Sequence, residues 1–170
     1  MKTFRLLAVL LLQVVIAGAV GISISELRNG LKGAAAGEEQ ALRFLEKLKQ
    51  SETKSPLIKG YMAATEGLLA KHAWFPGTKY SWCVTSLDHF REAIKADPEN
   101  LELRYLRLNV ETNIPGFLGM NGDVSEDRKK SLELLASTTD LSLRRDVARF
   151  LNEKGGCSEE EKKRLRPYLD

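Results

Sequence analysis

Arg104, Arg107 and Glu111 fall at helical spacing on a polar stripe of the largely apolar segment from about Leu101 to Thr112. Leu103, Leu106 and Val110 form one stripe beside them, and Leu101, Tyr105 and Leu108 form a second. A helix apolar on two sides packs between neighbours, so the three charges share its one polar stripe. Arginine's planar fork suits carboxylates, which makes this stripe a candidate groove wall that holds a peptide terminus. The four-residue step from Arg107 to Glu111 suits an internal ion pair that fixes helix packing, and this is the expected role.

Two apolar segments also invite contact. Ile114-Pro115-Gly116-Phe117-Leu118-Gly119-Met120 is unusually apolar for a loop, and Phe117 and Leu118 make it a candidate partner-docking patch. The alternative, and the expectation, is a lid folded back over the helices. Trp74, Phe75, Tyr80 and Trp82 cluster around Pro76-Gly77. Such rings stack on sugars or peptides, but they are expected here to plug the end of a helical stack.

Catalytic signatures are missing from the sequence. His72 and His89 are far apart, and the period of its helix puts His89 opposite the apolar stripe. No nucleophile elbow, His-Glu metal pattern or glycine-rich phosphate loop occurs. Glu38-Glu39 and Glu159-Glu160-Glu161 read as first-turn charges that favour a helix N-terminus. The expectation is a protein without catalytic residues, metal or cofactor; a small-ligand carrier or hydrolase with a pocket between helices is the alternative. Cys83 and Cys157 are the two cysteines, and a disulfide between them would close a long loop, worth about 4–5 kcal/mol. Cys83 alternatively sits on an apolar stripe as a buried thiol.

The N-terminus bears on compartment. Met1-Lys2-Thr3-Phe4-Arg5 is positive, Leu6 to Ile16 is apolar apart from Gln13, and Ala17-Gly18-Ala19 offers small residues for cleavage. Residues 1–19 are therefore expected to be a signal peptide, and 20–170 a single exported domain, periplasmic or secreted. An uncleaved anchor is the alternative, although 17 residues of helix reach only about 25 Å across a core of roughly 30 Å. Without Lys2 and Arg5 the 26 basic residues fall to 24 against 23 acidic, a charge of +1. That interleaved balance speaks against a nucleic-acid partner.

Period and caps predict an all-α domain of seven or eight helices. Starts are expected near Ser25, Glu38, Pro56, Lys79, Leu101, Val124, Asp140 and Ser158, with breaks at Pro76-Gly77, Asp97-Pro98 and Gly155-Gly156. Short connections make neighbours antiparallel, giving stacked helical hairpins.

Ser86, Phe90, Ala93 and Pro98 have the spacing of the second half of a tetratricopeptide repeat, and this segment resembles that family. Ala41, Leu45 and Leu48 echo it, whereas Arg104 and Leu108 replace the tryptophan and glycine of the next repeat helix. Across about residues 40–136 the chain is also similar to exported repeat-like envelope proteins of Bacteroidetes. The similarity rests on Glu102-Leu103-Arg104-Tyr105-Leu106-Arg107-Leu108, Asn113, Pro115, Phe117-Leu118 and Asp127. The resemblance implies a stack of helical hairpins; the groove such a stack forms, with the polar stripe of the fifth helix, gives the expectation of a scaffold that recognises a protein or peptide partner. Mass spectrometry of the exported chain should find an N-terminus at Val20; Met1 in its place would overturn the cleavage expectation.

Overall fold

A computed structural model describes residues 21–52 and 54–169. The expected signal peptide, residues 1–19, lies outside the described residues. Among the described residues there are no strands and eight α-helices. They are α1 (Ile24–Ala34), α2 (Glu38–Lys49), α3 (Pro56–His72), α4 (Pro76–Ala96), α5 (Leu101–Thr112), α6 (Val124–Leu134), α7 (Leu141–Glu153) and α8 (Glu159–Leu165).

Local chemistry sets the boundaries. Ser55 accepts from the Ile58 amide and Pro56 takes the first helical position of α3. Asn100 and Asp140 cap α5 and α7 in the same way. Ser23 and Ser158 form reciprocal capping boxes with Glu26 and Glu161. These side chains satisfy amide groups that a helix leaves without partners in its first turn. The first helix thus begins with a Ser23 cap, two residues before the expected Ser25 start. α4 likewise begins at Pro76, three residues earlier than expected.

The helices alternate in direction. Lys47 near the end of α2 reaches Glu26 near the start of α1, Ser86 of α4 donates to the Ala63 carbonyl of α3, and Lys130 of α6 pairs with Glu99 before α5. The odd-numbered neighbours α3 and α5 run parallel and touch closely at two glycines. A Cβ on Gly60 would lie 2.2 Å from Leu103 Cδ2, and one on Gly67 would lie 3.0 Å from both Val110 methyls. Both pairs are separated by 43 residues, so α3 and α5 keep one register along their shared length.

The apolar interior has two main clusters. Leu27, Ala41, Leu45, Leu48, Tyr61, Leu69 and Phe90 join α1 through α4, while Leu108, Leu135, Val147, Leu151 and Leu165 join α5 to the last helices. Helix α5 packs against α3, α4 and α6, the central position its two apolar stripes predict. Apolar periodicity predicts a buried stripe of Tyr80, Cys83, Val84, Leu87, Phe90 and Ile94 on α4, and the helix departs from it in part. Its fully buried line is Ser86, Phe90, Ala93 and Ile94, whereas Tyr80 is exposed and Cys83, Val84 and Leu87 are only half-buried. The small residues Ser86 and Ala93 let α4 sit close to α3 and α5, and this tilts the buried line away from the larger side chains.

Glycine replacement separates helix propensity from packing. Gly33→Ala faces open space on α1 and should stabilise by about 0.5–1 kcal/mol through the helix preference of alanine. Gly60→Ala gains the same preference but drives a methyl into Leu103, so urea unfolding should show a net loss of roughly 1–2 kcal/mol. A stabilised Gly60→Ala protein would refute the close α3–α5 contact.

Candidate functional site

The three charges on α5 face inward. Arg104 and Arg107 converge on Asp127 of α6, which is wholly buried. Arg107 Nε and Nη2 donate to the two Asp127 oxygens at 2.6 and 2.8 Å, and Arg104 Nη1 donates to Oδ1 at 2.9 Å. The outer sides of both guanidinium groups are met by Glu126 and Asp123, and Arg104 Nε donates to the Pro98 carbonyl. Two charges buried together need such complete pairing, because either alone would carry a large desolvation cost. Helix α6 has few apolar residues and buries only Asp127 and Ser131, so these pairs are its main hold on α5.

Glu111, one turn further, accepts a hydrogen bond from the Asp123 amide at 3.1 Å. It thereby ties the end of the 113–123 connection to α5. Burial, helped by the nearby Asp123 charge and opposed by Arg107, pushes its carboxyl up to about 7. Arg104, Arg107 and Glu111 are thus gathered into one network, enclosed between α5 and α6, and they line no open groove. Asp123 and Asp127 stand four apart and Arg104 and Arg107 three apart, so each pair shares one helix face, a pattern present in the sequence.

A second network joins the N-terminal ends of the odd-numbered helices. Arg28 of α1 forks onto Glu102 of α5 at 2.8 and 3.0 Å and reaches Asp140, the cap of α7, at 2.8 Å. Tyr61 of α3 donates to the same Glu102 at 2.6 Å. Burial first, then the adjoining carboxylate, raises the pKa of the Tyr61 hydroxyl and keeps it a donor. An open cavity of about 380 Å³ lies here, bordered by Arg28, Leu57, Glu102, Leu134 and Leu143. Arg104, Tyr105 and Glu111 do not line it.

His89 also differs from expectation. Its Nδ1 lies 2.8 Å from Oε2 of the buried Glu66, so the ring faces α3. Burial raises the pKa of Glu66, and the His89 contact opposes that rise. The cysteines are free thiols in separate places: Cys83 on α4 and Cys157 in the second apolar cluster. Burial raises the pKa of both, which leaves them poor nucleophiles at neutral pH.

The two most exposed large apolar side chains, Trp74 and Phe117, lie at the other end of the stack, whereas Leu141, Leu42 and Ile24 are exposed singly elsewhere. Trp74 is 93% exposed, Phe75 62% and Tyr80 54%; only Trp82 packs partly into the core. The expected aromatic plug is therefore corrected. The α3–α4 turn brings these rings out, because Ala73 is the buried anchor of the turn and helix α4 starts immediately at Pro76. The lid is corrected in the same way. Ile114 is buried, but a short 3-10 turn over Gly116–Leu118 turns Phe117 outward at 88% exposure, with Leu118 beside it. Gly119 closes that turn at φ 63°, a left-handed conformation that favours glycine.

Parallel register brings the two segments to one end. With that 43-residue register, α3 and α5 end within about a turn of each other, at His72 and Thr112, so the turn carrying Trp74 and the connection carrying Phe117 leave the stack at the same end. Among the described residues no cluster of His, Cys, Asp or Glu has the arrangement of a metal site. In comparisons with family models, curated proteins and solved structures, nothing matched this chain.

Two substitutions test the charge network. Asp127→Asn leaves two buried guanidinium groups short of a counter-charge and should lower stability by about 3–5 kcal/mol in urea unfolding. For Glu111 the folded pKa lies above its ordinary 4.5, so the folded state holds a proton that the unfolded chain releases. Its contribution therefore falls as pH rises from about 4.5 to about 7. Glu111→Gln keeps an acceptor for the Asp123 amide and should flatten that decline between pH 5 and 8. An unchanged slope would show that Glu111 is not buried as described.

Proposed function

We propose that this protein is an exported, non-catalytic docking and scaffold module of the periplasm or cell envelope. The observation that carries the reading is the pairing of two exposed apolar segments at one end of a stiff helical stack: the 73–75 turn with the first turns of α4, and the 114–120 connection. A monomer gains nothing from presenting Trp74, Phe75 and Phe117 to water, and an apolar patch held by rigid elements marks an interaction surface. The charged residues that could otherwise have recognised a partner are consumed internally, in the Asp127 and Glu102 networks.

The partner surface is therefore the loop end, and Phe117 and Leu118 belong to it, while Arg104, Arg107 and Glu111 hold the platform beneath. The loop end offers an apolar docking surface, whether its partner is the protein or peptide expected from the sequence or the surface of a membrane. The export part of the reading is supported by the apolar run and Ala17-Gly18-Ala19. No helix among the described residues is long and apolar enough to cross a membrane.

Fractionation of cells tests the proposal. The wild-type protein should co-sediment with envelope material, and Trp74→Ser combined with Phe117→Ser should shift most of it to the soluble fraction. Both positions are exposed, so the unfolding midpoint should be preserved within about 0.5 kcal/mol. Unchanged sedimentation of a well-folded double variant would overturn the proposal.

A further inference from the structure

We infer that the loop end seats on an anionic lipid surface, with Trp74, Phe75 and Phe117 entering the headgroup region and Lys71 and Lys79 meeting lipid phosphates. This rests on the docking role proposed for the same end and names its partner.

Charge complementarity selects this occupant. No acidic residue occurs between Glu66 and Asp88, or between Glu111 and Asp123. Within those two intervals the full charges are Lys71 and Lys79, both exposed and both next to the aromatic turn. Asp123 and Glu126, where the second connection enters α6, are paired with Arg107 and Arg104, and the acidic residues at the next turns, Glu38 and Glu39 before and Glu159 and Glu160 after, belong to the outer hairpins. The middle of the stack thus offers an apolar, cationic face with acidic flanks.

Shape points the same way. The exposed side chains project from loop tips, and the open cavity by Arg28 lies at the N-terminal ends of α1, α5 and α7, away from them. A peptide is gripped by a concave groove, whereas a bilayer accepts protruding rings. Trp and Tyr suit the interface because each has an apolar body with a polar tip, and Phe and Leu go deeper. The tips are also stiff. Lys79 Nζ donates to the Ala70 and Lys71 carbonyls and closes the end of α3, and Glu111 ties down the far end of the second loop. Rings held outward in this way lose little conformational freedom on entering a surface.

The two tryptophans make the test direct. In a Trp82→Phe protein, Trp74 is the sole indole. The exported protein, with whichever N-terminus the mass measurement finds, is mixed with vesicles of phosphatidylglycerol and phosphatidylethanolamine. Trp74 emission should shift to the blue and be quenched by brominated acyl chains. Phe117→Ala should weaken vesicle binding at least tenfold, Lys71→Gln a few-fold, and added salt should weaken it further. Vesicle binding that leaves Trp74 unquenched would place the contact elsewhere, such as at the N-terminus, and overturn the inference. Absence of vesicle binding, with envelope sedimentation still dependent on Trp74 and Phe117, would overturn it too and make the partner a protein. Loss of that sedimentation dependence would remove the docking role as well.

Discussion

The close parallel approach of α3 and α5 governs this structure. Two glycines remove the side chains that would otherwise separate the helices, and Leu103 and Val110 fill the space they leave. Once α3 and α5 share a register, their C-terminal ends must finish at one level. The turn after α3 and the connection after α5 then cannot lie at different places on the molecule. The juxtaposition of the two apolar loops is a consequence of helix packing and not of any contact between the loops themselves.

The charged networks make that arrangement rigid from opposite ends. At the N-terminal ends of the odd-numbered helices, Glu102 gathers Arg28 and Tyr61, and Arg28 extends to Asp140. One arginine thereby ties the first hairpin to the third and fourth. Toward the other end, Asp127 holds two arginines, and Glu111 fixes the backbone where α6 begins. Buried ion pairs contribute modestly to net stability but are costly to break singly, so they favour one arrangement over near alternatives. Here that specificity falls on the orientation of α6 and hence on the loop that carries Phe117.

Helix starts were legible because their cause is local. Ser55-Pro56, Asp140 and Ser158 each satisfy an amide within three residues, and the observed helices begin there. The central place of α5 was legible from its two apolar stripes. The side of a loop residue was not. Trp74 and Phe117 look the same in sequence whether they plug a core or face water, and the deciding facts are Ala73 and Ile114 taking the buried places. The buried line of α4 departs from apolar periodicity for a related reason. Apolar periodicity favours Tyr80 and Leu87, yet close packing prefers Ser86, whose hydroxyl reaches the Ala63 carbonyl. Pairings such as Arg28 with Glu102 span 74 residues, a distance over which periodicity carries no information.

The geometry of the loop end can be measured in the absence of any partner. Nitroxide labels at positions 74 and 117, in a chain with Cys83 and Cys157 replaced by serine, report their separation by pulsed electron resonance. Helix α3 alone is about 25 Å long, so a label at position 54, before its start, is the natural reference. Parallel packing of α3 and α5 predicts a narrow 74–117 distribution centred below about 20 Å and clearly shorter than the 54–117 distance. A broad 74–117 distribution, or one as long as the 54–117 distance, would contradict it.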